Sequence, residues 1–248
     1  MSLHGIHHIH LPETESTNKY AREVFSGAGI ALITTDHQTA GRGQRGNSWE
    51  SEAGKNLLFS LIISPEGIPG TGQFAICELI SVAICEVLER HAPDIRIKWP
   101  NDIYYRDRKL CGILIEHDLE GAHLSRTIIG VGLNANQTHF VSDAPNPISL
   151  YQILGHEVER ETLLEDIVSH FIELYHQHTS PTPTLHRNAL HERYTRLLYR
   201  RGEEAMYRDA EGPFSATLHD VEHDGRLILI DQQGERHSYL FKEVAHII

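Results

Sequence analysis

Residues Phe74 to Leu88 constrain this chain more than any other stretch. Wound as a helix they are apolar on most sides, through Phe74, Ile76, Leu79, Ile80, Ala83, Ile84, Val87 and Leu88. Such a helix has no wide polar face to give to water, so it belongs inside, packed on a sheet. Strands for that sheet are at hand. Ile30 to Thr34 and Leu57 to Ile63 read as buried strands, and Lys109 to Glu116 and Leu124 to Asn134 as a neighbouring pair. With 248 residues and 40% hydrophobic content, the chain can hold one large domain with ample core and a small second one.

Around this centre, Ile6 to Leu11 reads as a short strand and Pro12 to Glu15 as a turn. Ser16-Thr17 then opens a helix with Tyr20, Ala21, Val24 and Phe25 at helical spacing. The two hydroxyls serve either as its N-cap or as contacts to a ligand, and the sequence leaves both roles open. Pro65 to Gly72 is a connector, Arg106 to Arg108 a hairpin turn, and Thr138 to Pro147 a polar loop expected to move. Helices follow at Ser149 to Leu154, Thr162 to His178 and Thr184 to Leu198. Beyond residue 198 the texture changes to short strands: Glu204 to Arg208, Phe214 to Val221, Arg226 to Asp231, Arg236 to Phe241 and Val244 to Ile247. Residues 199–248 therefore read as a small β-barrel domain behind a domain of residues 1–198.

The net charge of −12 argues against a nucleic-acid partner or an anionic membrane surface, which call for a basic footprint. No apolar run approaches the length of a membrane span, and the N-terminus lacks the apolar core of a signal peptide. Cys77, Cys85 and Cys111 form no C-x-x-C pair, so reduced thiols packed in the core of a cytoplasmic protein are expected. His7, His8 and His10 cluster without a carboxylate or cysteine at metal-ligand spacing, and read as a polar strand face.

Two stretches carry chemistry. In Gly41-Arg42-Gly43-Gln44-Arg45-Gly46-Asn47-Ser48-Trp49 the glycines let the backbone approach a ligand, and the arginines offer planar donors to carboxylate or phosphate. A tryptophan closes the run. The stretch contains a G-x-G-x-x-G, but the residues after it show no helical stripe, so the dinucleotide fingerprint is rejected. A P-loop at Gly54-Lys55-Asn56 fails because the first glycine is missing and Asn56 replaces Ser/Thr. A loop closing over a small anion is the reading kept, against a plain solvated loop. In the second stretch, Ile95 to Tyr104, Pro100 cannot join a ladder. The chain must break there, leaving Asn101 and Asp102 at a strand end. Gly112, Gly130 and Gly132 thin two neighbouring strands at similar depth, which makes either a slot over the sheet or a pair of bulges.

Five pieces now stand in order: Glu15-Ser16-Thr17-Asn18, Gln38-Thr39-Ala40-Gly41-Arg42-Gly43, Lys98-Trp99-Pro100-Asn101-Asp102, Lys109-Leu110-Cys111-Gly112-Ile113-Leu114-Ile115-Glu116 and Gly130-Val131-Gly132-Leu133-Asn134. Each is weak alone. Together they resemble the motif set of biotin protein ligases, across the whole chain. The resemblance implies an α+β fold, with a mixed sheet backed by helices as in class II aminoacyl-tRNA synthetases and a C-terminal SH3-like β-barrel. It also implies biotin and ATP as substrates, Mg2+ with the ATP, biotinyl-5′-AMP as intermediate, and a lysine of a biotin carboxyl carrier protein as acceptor. No enzyme nucleophile is needed for that reaction; positioning and charge neutralisation are.

By resemblance, Arg42 and Lys109 are the leading catalytic cations, with Lys98 and Arg45 next. Asp102 is the carboxylate placed to manage metal or the incoming amine, and no metal site is fixed by the protein alone. Ser16, Thr17, Asn18 and Gln38 match positions at the biotin head group. Gly41, Arg42, Gly43, Gln44 and Lys109 match the biotin side of the loop and strand, and Gly112 and Gly130 the slot for the tail. Arg42, Arg45, Trp49, Lys98, Asn101, Lys109 and Asn134 match the adenylate side. Two departures stand out. Gln44 replaces the second arginine of the Gly-Arg-Gly-Arg that many bacterial members carry, which predicts looser retention of the adenylate. The core also begins almost at residue 1, so a monofunctional type without a DNA-binding repressor segment is expected. Homodimerisation, common in the family, is left open. The rival readings are a lipoate ligase or octanoyl transferase, which lack the arginine-glycine loop, and a non-catalytic binding protein.

Overall fold

Alternate residues of the central strands feed two separate cores. The computed structural model describes residues 6–24, 29–43, 46–65, 68–142, 146–179 and 183–248, the side chains of 183–185 excepted. Seven strands, β1 (His7–Thr14), β2 (Ile30–Gln38), β3 (Leu57–Ile63), β4 (Ile95–Lys98), β5 (Asp102–Tyr105), β6 (Arg108–Glu120) and β7 (His123–Leu133), form one sheet in the order β1-β2-β3-β7-β6-β5-β4. Only β1 and β2 pair in parallel, joined by α1 (Thr17–Val24); the other ladders are antiparallel. On one face Leu32, Phe59, Leu61, Ile129 and Val131 join the large core built on α2 (Phe74–Leu88), α4 (Arg160–His178) and α5 (Pro183–Arg196). On the other, Ala31, Ile33, Ile62 and Ile128 form a small core with Ala21 of α1.

The apolar helix lies where its composition demands, with thirteen of its fifteen residues buried. Counting the turn before it, Gly70–Leu88 does reach the length and mean hydropathy of a membrane span, contrary to the expectation above. In this fold 67% of that window is buried inside the protein. The strand expected to end at Leu11 runs on to Thr14 through Pro12, and β2 runs on to Gln38. Proline is tolerated because β1 is an edge strand, and the β1–β2 register steps from Leu11 to Glu13 past it. The histidine cluster does gain a carboxylate: His10 Nε2 lies 3.3 Å from Asp36, supplied by the next strand. All three cysteines are free and buried, and burial pushes each thiol pKa up. The polar loop is tied down at residues on both flanks, Val141 and Ser142 donating to the Glu50 carboxylate and Lys109 N to Asn146 O.

After α3 (Leu150–Leu154) and the two long helices, β8 (Glu204–Arg208), β9 (Pro213–Val221), β10 (Leu227–Asp231), β11 (Arg236–Tyr239) and β12 (Ala245–His246) form a second antiparallel sheet, ordered β11-β10-β9-β8-β12. Among the described residues no ladder joins β11 to β12, and the small all-β unit expected after residue 198 is present as this five-stranded antiparallel sheet. It is not packed as an independent body: Leu218, Leu229 and Val244 share the large core with α2. Trp99 Nε1 donates to Gly225 O at 3.0 Å, and Gly225 lies against the Phe74 ring.

Candidate active site

Along β7, the positions facing α1 read Ile128, Gly130, Gly132. Ile128 belongs to the small core under α1, and α1 is too short to cover the rest. What it leaves open is a cavity of about 700 Å3 floored by the paired glycines Gly112 and Gly132 and by Gly130. A Cβ on Gly130 would stand 2.2 Å from Asn18 Oδ1, and one on Gly112 or Gly132 within 2.7 Å of the Trp49 ring. The glycines are therefore positions where the Asn18 and Trp49 side chains approach the sheet closely at the cavity floor, and no register shift falls on them.

The arginine-glycine loop is a small hairpin. Trp49 N donates to Gly41 O at 2.9 Å, Gly43 N donates to Asn47 O, and Arg42 bridges Ser48. This return lays the Trp49 ring over Gly112 and Gly132, with its Nε1 buried and unpartnered among the described residues. Gly41 cannot be enlarged, because its Cβ would meet Trp49 O at 2.6 Å. Gln44 and Arg45 lie outside the described residues.

Lys109 reaches this floor because of a bulge. The β5–β6 register jumps from Ile103–Cys111 to Tyr104–Lys109, so Leu110 is the extra residue. Without it, strand alternation would aim Lys109 away from Gly112; with it, the Lys109 Cε lies 3.4 Å from a Cβ built on Gly112. Lys109 Nζ meets Asp102 Oδ2 at 2.8 Å and sits 5.8 Å from the Trp49 ring centre. Lys98, opposite Asp102 in the β4–β5 register, stands over the Tyr104 ring. Burial lowers the Lys98 pKa and Lys109 lowers it further, while Asp102 opposes both. The cis Trp99–Pro100 peptide lies between these strands, and Asn101 donates to Ile113 O at 3.1 Å.

A polar chain closes the far end. Gln38 Oε1 accepts from Thr17 N at 2.8 Å and lies 3.2 Å from Thr17 Oγ1. The buried Ser60 hydroxyl lies 2.7 Å from Thr17 Oγ1 and 2.6 Å from Asn18 Oδ1. Thr17 is thus turned to its neighbours in the wall of the cavity, which Ser16 also lines.

Of the expected site residues, Ser16, Thr17, Asn18, Gln38, Arg42, Gly43, Trp49, Lys98, Asn101, Asp102, Lys109, Gly112 and Gly130 all line this one cavity. Gly41, whose carbonyl takes the Trp49 N–H, does not line it, and neither does Asn134. Asn134 is buried and donates to Ile148 O, with its Oδ1 unpartnered among the described residues. Sequence reading missed Ser60, a lone serine in an apolar strand. It also missed the part of the wall supplied by the second sheet: Leu227, Phe241, Val244, Ala245 and His246. Those residues carry no motif, and only the tertiary packing brings them here. Burial, with Lys98 and Arg200 nearby, pushes His246 down to about 3, so it is neutral at ordinary pH. Among the described lining residues the cations Arg42, Lys98 and Lys109 outnumber the single carboxylate, Asp102, so the lining carries a positive balance within an acidic protein.

Comparison with known proteins places this geometry. Residues 12–134 match the model of the biotin/lipoate A/B protein ligase family. The bifunctional ligase/repressor BirA of Bacillus spizizenii is 31% identical over 245 residues, covering 95% of this chain and 73% of that protein. The biotin–[acetyl-CoA-carboxylase] ligase of Paracoccus denitrificans is 30% identical over 237 residues, covering 91% of this chain and 95% of that one. The fold is shared with the Aquifex aeolicus biotin protein ligase solved with biotin and ATP, at a TM-score of 0.80 and 23% identity over 97% of this chain and 98% of that one. The chain belongs to the biotin protein ligase family.

Proposed function

We propose that this ATP-dependent ligase joins biotin to MgATP as biotinyl-5′-AMP and passes the biotinyl group to a lysine of a biotin carboxyl carrier protein. The observation that carries the reading is the cavity itself: a glycine-floored slot with a polar end at Thr17, Asn18 and Gln38 and a cationic end at Lys98 and Lys109. The slot accepts a thin apolar chain, the polar end a ureido ring, and the cations a carboxylate meeting a phosphate.

In the first step a biotin carboxylate oxygen attacks the α-phosphorus and the bond to the β-phosphate breaks, releasing pyrophosphate. Arg42, Lys98 and Lys109 neutralise the negative charge gathered there. In the second step the acceptor amine attacks the acyl carbon and AMP leaves. Asp102, the one carboxylate in the described lining, takes the amine's proton. Mg2+ enters with the nucleotide: one carboxylate beside the phosphates suits an ion that keeps most of its ligands from phosphate and water. The group of three donors that the described residues do bring together, Asp231, Glu235 and His237, belongs to the second sheet. Trp49 and Asn101, both in the cavity lining, flank the adenylate, and Asn134, which lies outside that lining, does not touch it. Gln44 in place of arginine removes one cation from its hold, so Gln44→Arg should lengthen the lifetime of the bound adenylate.

Exchange of labelled pyrophosphate into ATP tests the first step. It should require biotin and fail with lipoate or octanoate. Exchange with lipoate alone would move the chain to the lipoate side of the family, and no exchange with either would leave a binding protein.

A further inference from the structure

Glu116 stands where α1, β6 and the glycine hairpin meet. Its side chain is one-quarter exposed. Oε2 accepts from Asn18 Nδ2 at 2.9 Å and lies 3.5 Å from Arg42 Nη2. Oε1 lies 3.8 Å from Arg22, but Arg22 is drawn off by Asp118 at 2.9 Å, and Asp118 also holds Arg126 at 2.6 Å. The close neighbours of Glu116 are thus the amide that overhangs Gly130 and the guanidinium of the hairpin.

A carboxylate beside an anion site repels the anion it helps to receive, so it must be offset by something it does. Two such effects are visible. First, it fixes which way the Asn18 amide points. Asn18 Oδ1 takes the Ser60 hydroxyl, and Nδ2 donates to Glu116 and to Leu114 O. Second, it holds a half-exposed arginine that otherwise would spread over many rotamers.

Resting on the ligase reading above, we propose that Glu116 is a positioning residue. It sets the Asn18 wall of the slot and keeps Arg42 at the cavity mouth until the ligand's anion replaces the carboxylate as its partner. Head-group recognition and the hairpin cation are thereby joined through one side chain, in the order Thr17, Ser60, Asn18, Glu116, Arg42.

Glu116→Gln separates the two effects, since its carbonyl still accepts from Asn18 while the charge toward Arg42 is lost. Biotin-dependent pyrophosphate exchange is measured on the wild type, E116Q, R42A, E116Q/R42A and E116A, with biotin binding followed separately by tryptophan fluorescence. E116Q should lower kcat by about tenfold and leave the biotin Kd within about twofold. In the double variant E116Q should add nothing to R42A. E116A should also raise the biotin Kd by about tenfold, because Asn18 loses its acceptor. Independent, multiplying losses for E116Q and R42A would overturn the proposal. So would a fall in kcat, affinity and Tm together in E116Q, the signature of a purely structural role. A wild type that binds biotin yet shows no exchange would instead overturn the reading of function.

Discussion

Single atoms decide what this cavity admits. At Gly130 a methyl group would overlap Asn18 Oδ1, part of an amide that Ser60 holds by donating to its oxygen and Glu116 by accepting from its nitrogen. Gly130→Ala is expected to cost about 1–3 kcal/mol through overpacking and to weaken biotin binding by at least about tenfold. Gly72→Ala, whose Cβ would make only ordinary contacts, should leave both unchanged. Thermal melts and a binding titration check the pair; equal effects would remove Gly130 from the slot. At this scale much was legible in the sequence, because glycines and cations inside apolar strands have few other uses. Ser60 was not, since a lone serine in a strand gives no signal of which neighbour it faces. The aim of Lys109 was not legible either, because alternation alone directs it off the floor and only the bulge at Leu110 restores it.

Elements were read well where their period was strong. The expected bounds of β3, α2 and β8 are the observed ones. The pairing of residues 41–43 with 47–49 was hidden, since its bonds are few and its glycines permit many paths. Packing between helices also sets the response to acid. His178 of α4 is buried with both ring nitrogens unpartnered among the described residues. Burial, with Arg187 and His186 nearby, holds it down to about 4. The unfolded chain takes up that proton at the ordinary histidine value, so this contribution is complete above pH 6.5 and drains away as pH falls toward 4. Glu86 of α2 works in the same direction. His170 and Arg193 of the neighbouring helices hold it at about 2 against the pull of burial. Its stabilisation is present above pH 4.5 and is lost as pH falls toward 2. Tm should therefore fall steadily below pH 6.5, and His178→Phe should flatten the segment between 6.5 and 4. Parallel curves for the two proteins would contradict the assignment to His178.

Across the whole molecule, the cavity belongs to two sheets at once. Gly225 at the β9–β10 turn sits at φ +91° with its Cβ position 2.5 Å from the Phe74 ring, and its carbonyl takes the Trp99 indole proton. Gly225→Ala is expected to loosen the second sheet from α2 and to weaken nucleotide binding through Phe241 and His246, far more than it lowers helix content; a change confined to stability would show the two sheets act separately. No motif marks those lining residues, because their role arises only when β10 and β12 dock beside β4. The overall charge of −12 surrounds a cavity whose described lining carries three cations and one carboxylate, which concentrates anions at one place on an otherwise acidic surface. That arrangement is tested most directly by intact-mass measurement of an apo biotin-carrier domain incubated with this protein, biotin and MgATP. A single biotin-sized gain is expected, requiring ATP and dropping by about a hundredfold in rate with Lys109→Ala. No gain on the carrier domain, or a gain unaffected by loss of Lys109, would contradict it.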